Sequence, residues 1–575
     1  MSSLCCAFRG WVAVMVTLAV LPATVRAADA VPVDQLLPPG VLAYVSLSDV
    51  KQLKSRFGET MTGQMIHDPE LQPFVGELVD LVGEFLPEAE AELGFSLQEL
   101  ADFPTGEVAL AAVMPAGRRL SIVAVIDVLE RGDTLARMLE KIDESLKEQD
   151  SEAQVEQFEG TDITAYALPE DAGIFSTFSY VVRDGRLVLT LSADTGIVED
   201  ILVRWDGEND RTFAESPVYA YVQEACAVDR DGRPLMSWYV SPIDLVRAVM
   251  TSNEELAMQS MTVMTFLPLL GLDRFKGMGG TMDMATDEYD SVTRTFLYVE
   301  QPASGILKVF EFPAIAQTPP RWVSDDVAQY SAANWNLQAA YTAVETLYDL
   351  FTGQAGGFAR MVDQIAQQPG GPMIHPKEDL IDQFTGLMHF MTEIPEDAGI
   401  EDQRMLFALQ LKDEARMQQV LESIKATNGV DLTERDFQGV TIYEAEQAGS
   451  GGMDPAAAIT RGHLFFATHA RLLEDVIRRD EAENPLADSD DYQRIAAHMP
   501  EKLSIVGYQK PDAQVRAVYE MVRSGELDAV TEGKIDFSKL PEFDVIRKYL
   551  PTTGSYAVPD ERGALFVNFS LPNEN

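Results

Sequence analysis

Six histidines are the first residues to weigh for chemistry: His67, His375, His389, His463, His469 and His498. None falls in an H-x-x-x-H or H-E-x-x-H pair, so no helix offers two imidazoles to a zinc ion. His463 and His469 are spaced to face one side of a strand, and two ordinary strand histidines are the expectation there. Carboxylates crowd the loops at 229–232 and 488–491, the right ligand type for calcium. Neither loop has the Glu that would close an EF-hand, so solvated turns are expected. An S-x-x-K at 48–51 stands without an S-D-N or K-T-G companion, which leaves Ser48 and Asp49 as helix-capping residues. There is no G-x-S-x-G elbow. The glycine-rich stretches 277–280 and 449–452, and Gly533 with Lys534, lack a phosphate cradle and read as flexible turns. Asp and Glu total 92, so carboxylate pairs arise by coincidence and none is singled out for glycoside chemistry. No cofactor and no metal is expected.

The stretch 250–272 is unusual. It carries Met258, Met261, Met264 and Phe266, followed by Leu267, Leu269 and Leu270 around Pro268. Methionine-rich helical surface can line an adaptable apolar pocket, and it can equally fill a core. Cys226 sits among small residues and reads as a buried, inert thiol rather than a nucleophile.

These residues belong to a chain of 575 with 44 Lys and Arg, a net charge of −48 and a pI near 4.3. The acid excess argues against tracking nucleic-acid phosphates and against anionic membrane surfaces. It reads instead as solubility in a salty envelope. A hydrophobic fraction of 46% argues against wholesale disorder.

Residues 1–27 read as a secretory signal: Arg9 for the positive start, an apolar run at 11–21, and small residues leading to cleavage near Ala27. That run is shorter than the roughly 20 residues a spanning helix needs. Export would remove Cys5 and Cys6 and leave Cys226 alone, so the mature chain would fold without an intramolecular disulfide.

Internal repetition organises the rest. Residues 103–106 answer 384–386, 158–163 answer 437–442, 184–187 answer 461–464, 198–201 answer 473–476, and 242–249 answer 511–518. The blocks are collinear, with an offset that shrinks along the chain, as short deletions in a second copy produce. The expected domains are a signal at 1–27, a first unit at 28–317 and a second at 318–575.

Within the first copy, 41–47 reads as a strand, and 71–85 as a helix with one apolar face. A hairpin is expected over 107–114 and 120–128, and an amphipathic helix over 133–147. One long strand is expected over 155–168, then a hairpin closed by Asp184 and Gly185. Asp194 caps a helix, Pro242 opens another, and 280–287 with 291–300 form a last hairpin. Hairpins outnumber crossovers, so the fold expected is α+β: two tandem copies of a mostly antiparallel sheet with helices packed on one face.

Residues 37–45, 93–97, 105–110, 270–273, 277–280, 554–559 and 563–567 together resemble the DUF3352-type exported bacterial proteins, a group of planctomycete character. That family has no assigned activity, and its motifs are strand-and-turn signatures. The resemblance therefore implies compartment and architecture, not catalytic residues. The expected function is an exported, soluble, non-catalytic binding or structural component of the cell envelope. The alternatives are a carrier or sensor of an apolar ligand such as a lipid, lined by Met258, Met261, Met264 and Phe266, and a carboxylate-dependent hydrolase. The partners expected are an envelope protein or an apolar small molecule, with no nucleic acid and no transmembrane segment in the mature chain.

Overall fold

The computed structural model describes residues 31–79, 81, 94–169, 173–209, 211–227, 232–251, 264–368, 373–395, 402–426, 432–445, 454–478, 484–525 and 534–573. The signal segment, the loop at 228–231, the glycines at 449–452 and residues 80 and 82–85 lie outside the described residues, while 72–79 are helical as expected for the helix over 71–85. The chain forms two compact units. The first is Met1–Leu267 with Phe275–Val299; the second is Pro268–Arg274 with Glu300–Asn575.

The first unit contains β1 (Val41–Leu47), β2 (Val108–Val113), β3 (Ser121–Asp127), β4 (Ala153–Phe158) and β5 (Thr161–Ala167). It continues with β6 (Thr177–Arg183), β7 (Arg186–Ser192), β8 (Met236–Val240), β9 (Phe275–Met284) and β10 (Ser291–Val299). Pairing gives the order β4-β5-β6-β7-β3-β2-β1-β8-β9-β10, antiparallel throughout. The fold is α+β, as expected.

Helices cover both faces of this sheet, not one. Tyr44, Val125, Val188 and Val181 pack on one side with Ile201 and Leu202 of helix Gly196–Trp205. Val108, Ile126 and Leu187 pack on the other with Leu135 and Met138 of helix Gly132–Lys147. Strands β2 and β3 are accordingly near-continuous apolar runs, as doubly covered strands are. The long strand expected over 155–168 is a hairpin, β4–β5. Glu159 and Gly160 both take positive φ, 49° and 77°, which turns the chain back as a type I′ loop does. Asp49 caps helix Val50–Glu59 by accepting from the Lys51 and Gln52 amides.

The second unit contains β11 (Gln329–Asn334), β12 (Phe384–Glu393), β13 (Arg404–Leu411), β14 (Leu432–Phe437) and β15 (Val440–Ala445). Then come β16 (Ala456–Thr460), β17 (His463–Ala467), β18 (Ile505–Gln509), β19 (Thr553–Asp560) and β20 (Gly563–Ser570). Their order is β14-β15-β16-β17-β13-β12-β11-β18-β19-β20, again antiparallel. Strand for strand this is the order of the first unit. Residues 300–317 are part of this second unit: the Trp335 indole donates to the Val309 carbonyl at 2.7 Å, and Ile315–Ala316 pairs with Lys502–Leu503.

The glycines at 277–280 are not a flexible turn. They lie inside β9, opposite β8. A Cβ at Gly279 would sit 2.5 Å from the Trp238 carbonyl oxygen and 3.0 Å from a Val222 methyl. Gly554 holds the same register in the second unit, opposite Tyr508 as Gly279 is opposite Tyr239. A Cβ there would meet the Phe569 ring at 2.5 Å and an Ile495 methyl at 2.6 Å. Both positions need glycine because a helix and a neighbouring strand press close.

Candidate functional site

Each unit buries polar side chains on one face of its sheet, and the two centres differ in chemistry. In the first, β3 and β7 place Asp127 directly opposite Arg186. Arg186 Nε donates to Asp127 Oδ1 at 2.5 Å, and its guanidinium lies 3.5 Å from Glu107. Glu107, 3% exposed, accepts from the Ser46 hydroxyl at 2.9 Å, the Val33 amide at 3.2 Å and Arg233 at 2.7 Å. Asp127 accepts from the Glu107 amide at 2.9 Å. Beside this network the Tyr219 hydroxyl donates to Asp34 at 3.1 Å, and burial raises the Asp34 carboxyl above the usual carboxylate range. Each ion has a partner and hydrogen bonds, which is what a buried ion network requires.

In the second unit the residue that opens β17 is His463, where β7 opens with Arg186, and it faces Gln410 where Arg186 faces Asp127. His463 meets His389 of β12, with ring centroids 5.4 Å apart. The Tyr330 hydroxyl is 2.9 Å from His389 Nδ1, and His463 Nδ1 is 2.7 Å from the Arg461 carbonyl oxygen. A carbonyl only accepts, so His463 carries its proton on Nδ1 and leaves Nε2 a bare acceptor. Neither Nε2 meets a hydrogen-bond partner among the described residues. Burial, reinforced by His463, pushes His389 down to about 3. Burial lowers His463 as well, against the opposing pull of the Arg461 carbonyl and Glu414.

The second unit also has an open cavity of about 410 Å³, lined by Asp325, Asp488, Ser489, Asp490, Asp491, Tyr508 and Lys510. Tyr508 is 2% exposed, and burial, with Asp491 and Asp325 nearby, pushes its phenol up. Lys510 pairs with Asp491 at 3.0 Å and Arg321 with Asp488 at 3.2 Å. Such a lining suits a cationic or hydroxyl-rich guest. Among the described residues, no group of three or more His, Cys, Asp or Glu is arranged to hold a metal ion. Ser489 caps the short helix Asp490–Ala496 through the Tyr492 amide, so this loop forms a helix start.

Met258 and Met261 lie outside the described residues. Met264 is half-buried, and Phe266 is 42% exposed. Cys226 is fully buried, and burial pushes its thiol up to about 12, which keeps it inert at neutral pH. His463 and His469 do not share a strand face: β17 ends at Ala467, and His469 contacts the Thr468 hydroxyl. The pair that does form, His389 with His463, spans two strands with β13 between them. Spacing carries no trace of it; only the strand register does.

Residues 389–527 match a family model described as protein of unknown function (DUF3352). The match falls within the second unit. It begins at His389 and runs through β13, β17, the cavity loop and β18, so both the histidine pair and most of the cavity wall lie within it. Neither a curated protein nor a solved structure matches the chain significantly.

Proposed function

We propose that the protein is an exported, non-catalytic binding component of the cell envelope, built from two copies of one α+β unit. The carrying observation is apolar surface. On helix Leu337–Thr352, Val344 and Phe351 are seven residues apart on one stripe, and Phe351 is 59% exposed. On helix Pro242–Thr251 Val249 is exposed, and on helix Asp512–Arg523 so is Val518, its counterpart in the repeat. Contiguous exposed apolar surface marks docking sites, and the Val344–Phe351 stripe is the part of this surface that supports one. The signal-like start supports export, and the shared strand order supports duplication. Among the described residues no helix is long and apolar enough to cross a membrane.

A photo-crosslinking residue at 351 in cells, with N-terminal sequencing of the mature chain, tests this reading. Crosslinks to an envelope protein and a start just after Ala27 are expected. Absence of crosslinks, or a retained N-terminus in the cytoplasmic fraction, would count against it. A second reading, a carrier of an apolar small molecule, is favoured by the exposure of Phe266. Native mass spectrometry of the purified chain with and without added phospholipid separates the two, because only the carrier gains lipid mass.

A further inference from the structure

Trp322 lies on the segment leading into β11 and stands edge-on to both histidines, with centroids 5.6 Å from His389 and 5.8 Å from His463. Phe465 closes the cluster, 5.1 Å from Trp322. His389 is 3% and His463 7% exposed. The groups facing the pair are nearly all neutral. Tyr330 meets the outer nitrogen of His389, with Tyr492 beyond it, and both phenols are raised by burial. Arg461 offers its carbonyl, while the Glu414 carboxylate is engaged by the Gly462 amide. On helix Ala470–Arg478, which packs over this face, Glu474 is tied to Arg435 and Arg478, and Asp475 to Arg478. No carboxylate among the described residues hydrogen-bonds either imidazole of the pair. A proton on one ring therefore places a cation in an apolar cage beside a second basic ring, and a proton on both adds repulsion.

The Trp322 segment is buried and is tied mainly to the loop at 484–488, with Arg321 paired to Asp488 and the Ala328 amide donating to Thr392 at its far end. The Leu486 amide donates to Val323 at 2.9 Å, the Asp325 amide donates to Asn484 at 3.1 Å, and Ser324 bridges Pro485. It continues into Asp325, a wall of the acidic cavity. We propose that His389 and His463 form an acid-sensitive latch. While both rings are neutral, Trp322 stays seated and the cavity keeps its Asp325 wall; protonation unseats Trp322, loosens the second unit and remodels the cavity. The first unit has an ion network in the corresponding place and does not respond in this way.

Hydrogen exchange of the full chain, read by mass spectrometry and corrected for intrinsic rates, tests the latch at pH 7.5 and pH 5.0. Protection in residues 320–328, 384–393 and 463–467 should fall at least tenfold at pH 5.0. Protection in 108–113, 121–127 and 186–192 should change by less than threefold. Unchanged protection in the second unit, or an equal fall in both units, would overturn the proposal. A His389→Gln, His463→Gln chain should lose the pH response while keeping its protection at pH 7.5, and a response retained in that chain would also overturn it. Should the double variant not fold, the exchange profile of the unaltered chain decides.

Discussion

The two units share a strand order and a glycine register, yet their buried polar centres are built on different principles. The first closes its sheet face with charges that neutralise one another: Arg186 against Asp127 and Glu107, with Arg233 at the edge. The second closes it with two imidazoles that must stay neutral, capped by Trp322. One scaffold thus tolerates either solution at one strand position. The ionic solution depends on keeping every partner, whereas the neutral one depends on keeping protons away.

The contrast breaks most sharply at Arg186. Arg186→Leu strands two buried carboxylates, and about 3–5 kcal/mol of first-unit stability should be lost. Guanidinium chloride unfolding followed by hydrogen exchange should place the loss in the first unit alone. Acid should act on the other side. His389 sits near 3 in the fold against about 6.5 unfolded, so its contribution is present above pH 6.5 and is lost as pH falls toward 3. At pH 5 this amounts to about 2 kcal/mol from that ring. Asp34 works in the opposite sense: its carboxyl is raised by burial, so its contribution is present in acid and lost as pH rises. Denaturant midpoints of the two units should therefore diverge as pH falls from 7.5 to 5.

Where the units agree, matched substitutions should cost alike. Gly279→Val and Gly554→Val each press a side chain into a helix and a neighbouring strand, and each should cost its own unit about 1–3 kcal/mol. A clear inequality in thermal unfolding would show that the shared register hides different packing. The smallest effect concerns the helix that follows the first central strand of each unit. Asp49 caps one by accepting from Lys51 and Gln52, and Asn336 caps the other by accepting from Ala339. Asp49→Ala and Asn336→Ala should each cost about 1 kcal/mol, measured the same way.

Local chemistry made much of this fold legible. The Asp184 and Gly185 turn, the hairpin before helix Gly132–Lys147, and the Pro242 helix start all follow from turn residues and periodicity. The Glu159–Gly160 turn was hidden because strand-forming residues continue on both sides of it. Coverage of both sheet faces was written in the unbroken apolar runs of β2 and β3, where alternation would mark a one-sided sheet. The glycines of β9 misled because glycine signals a turn as readily as a close backbone approach. The histidine pair and the cavity were not legible at all. They depend on which strands become neighbours, and residues 389 and 463, or 325 and 508, converge only once that register is set.

Differential scanning calorimetry of the full chain across pH 7.5 to 5.0 tests most directly the claim that one scaffold carries an ionic centre in one unit and a neutral, acid-sensitive one in the other. Two transitions are expected that separate as pH falls, the lower one belonging to the second unit; in a chain carrying Arg186→Leu the first unit's transition should move down toward it while the second unit's stays in place. A single transition at every pH, or two that shift in parallel, would contradict the account.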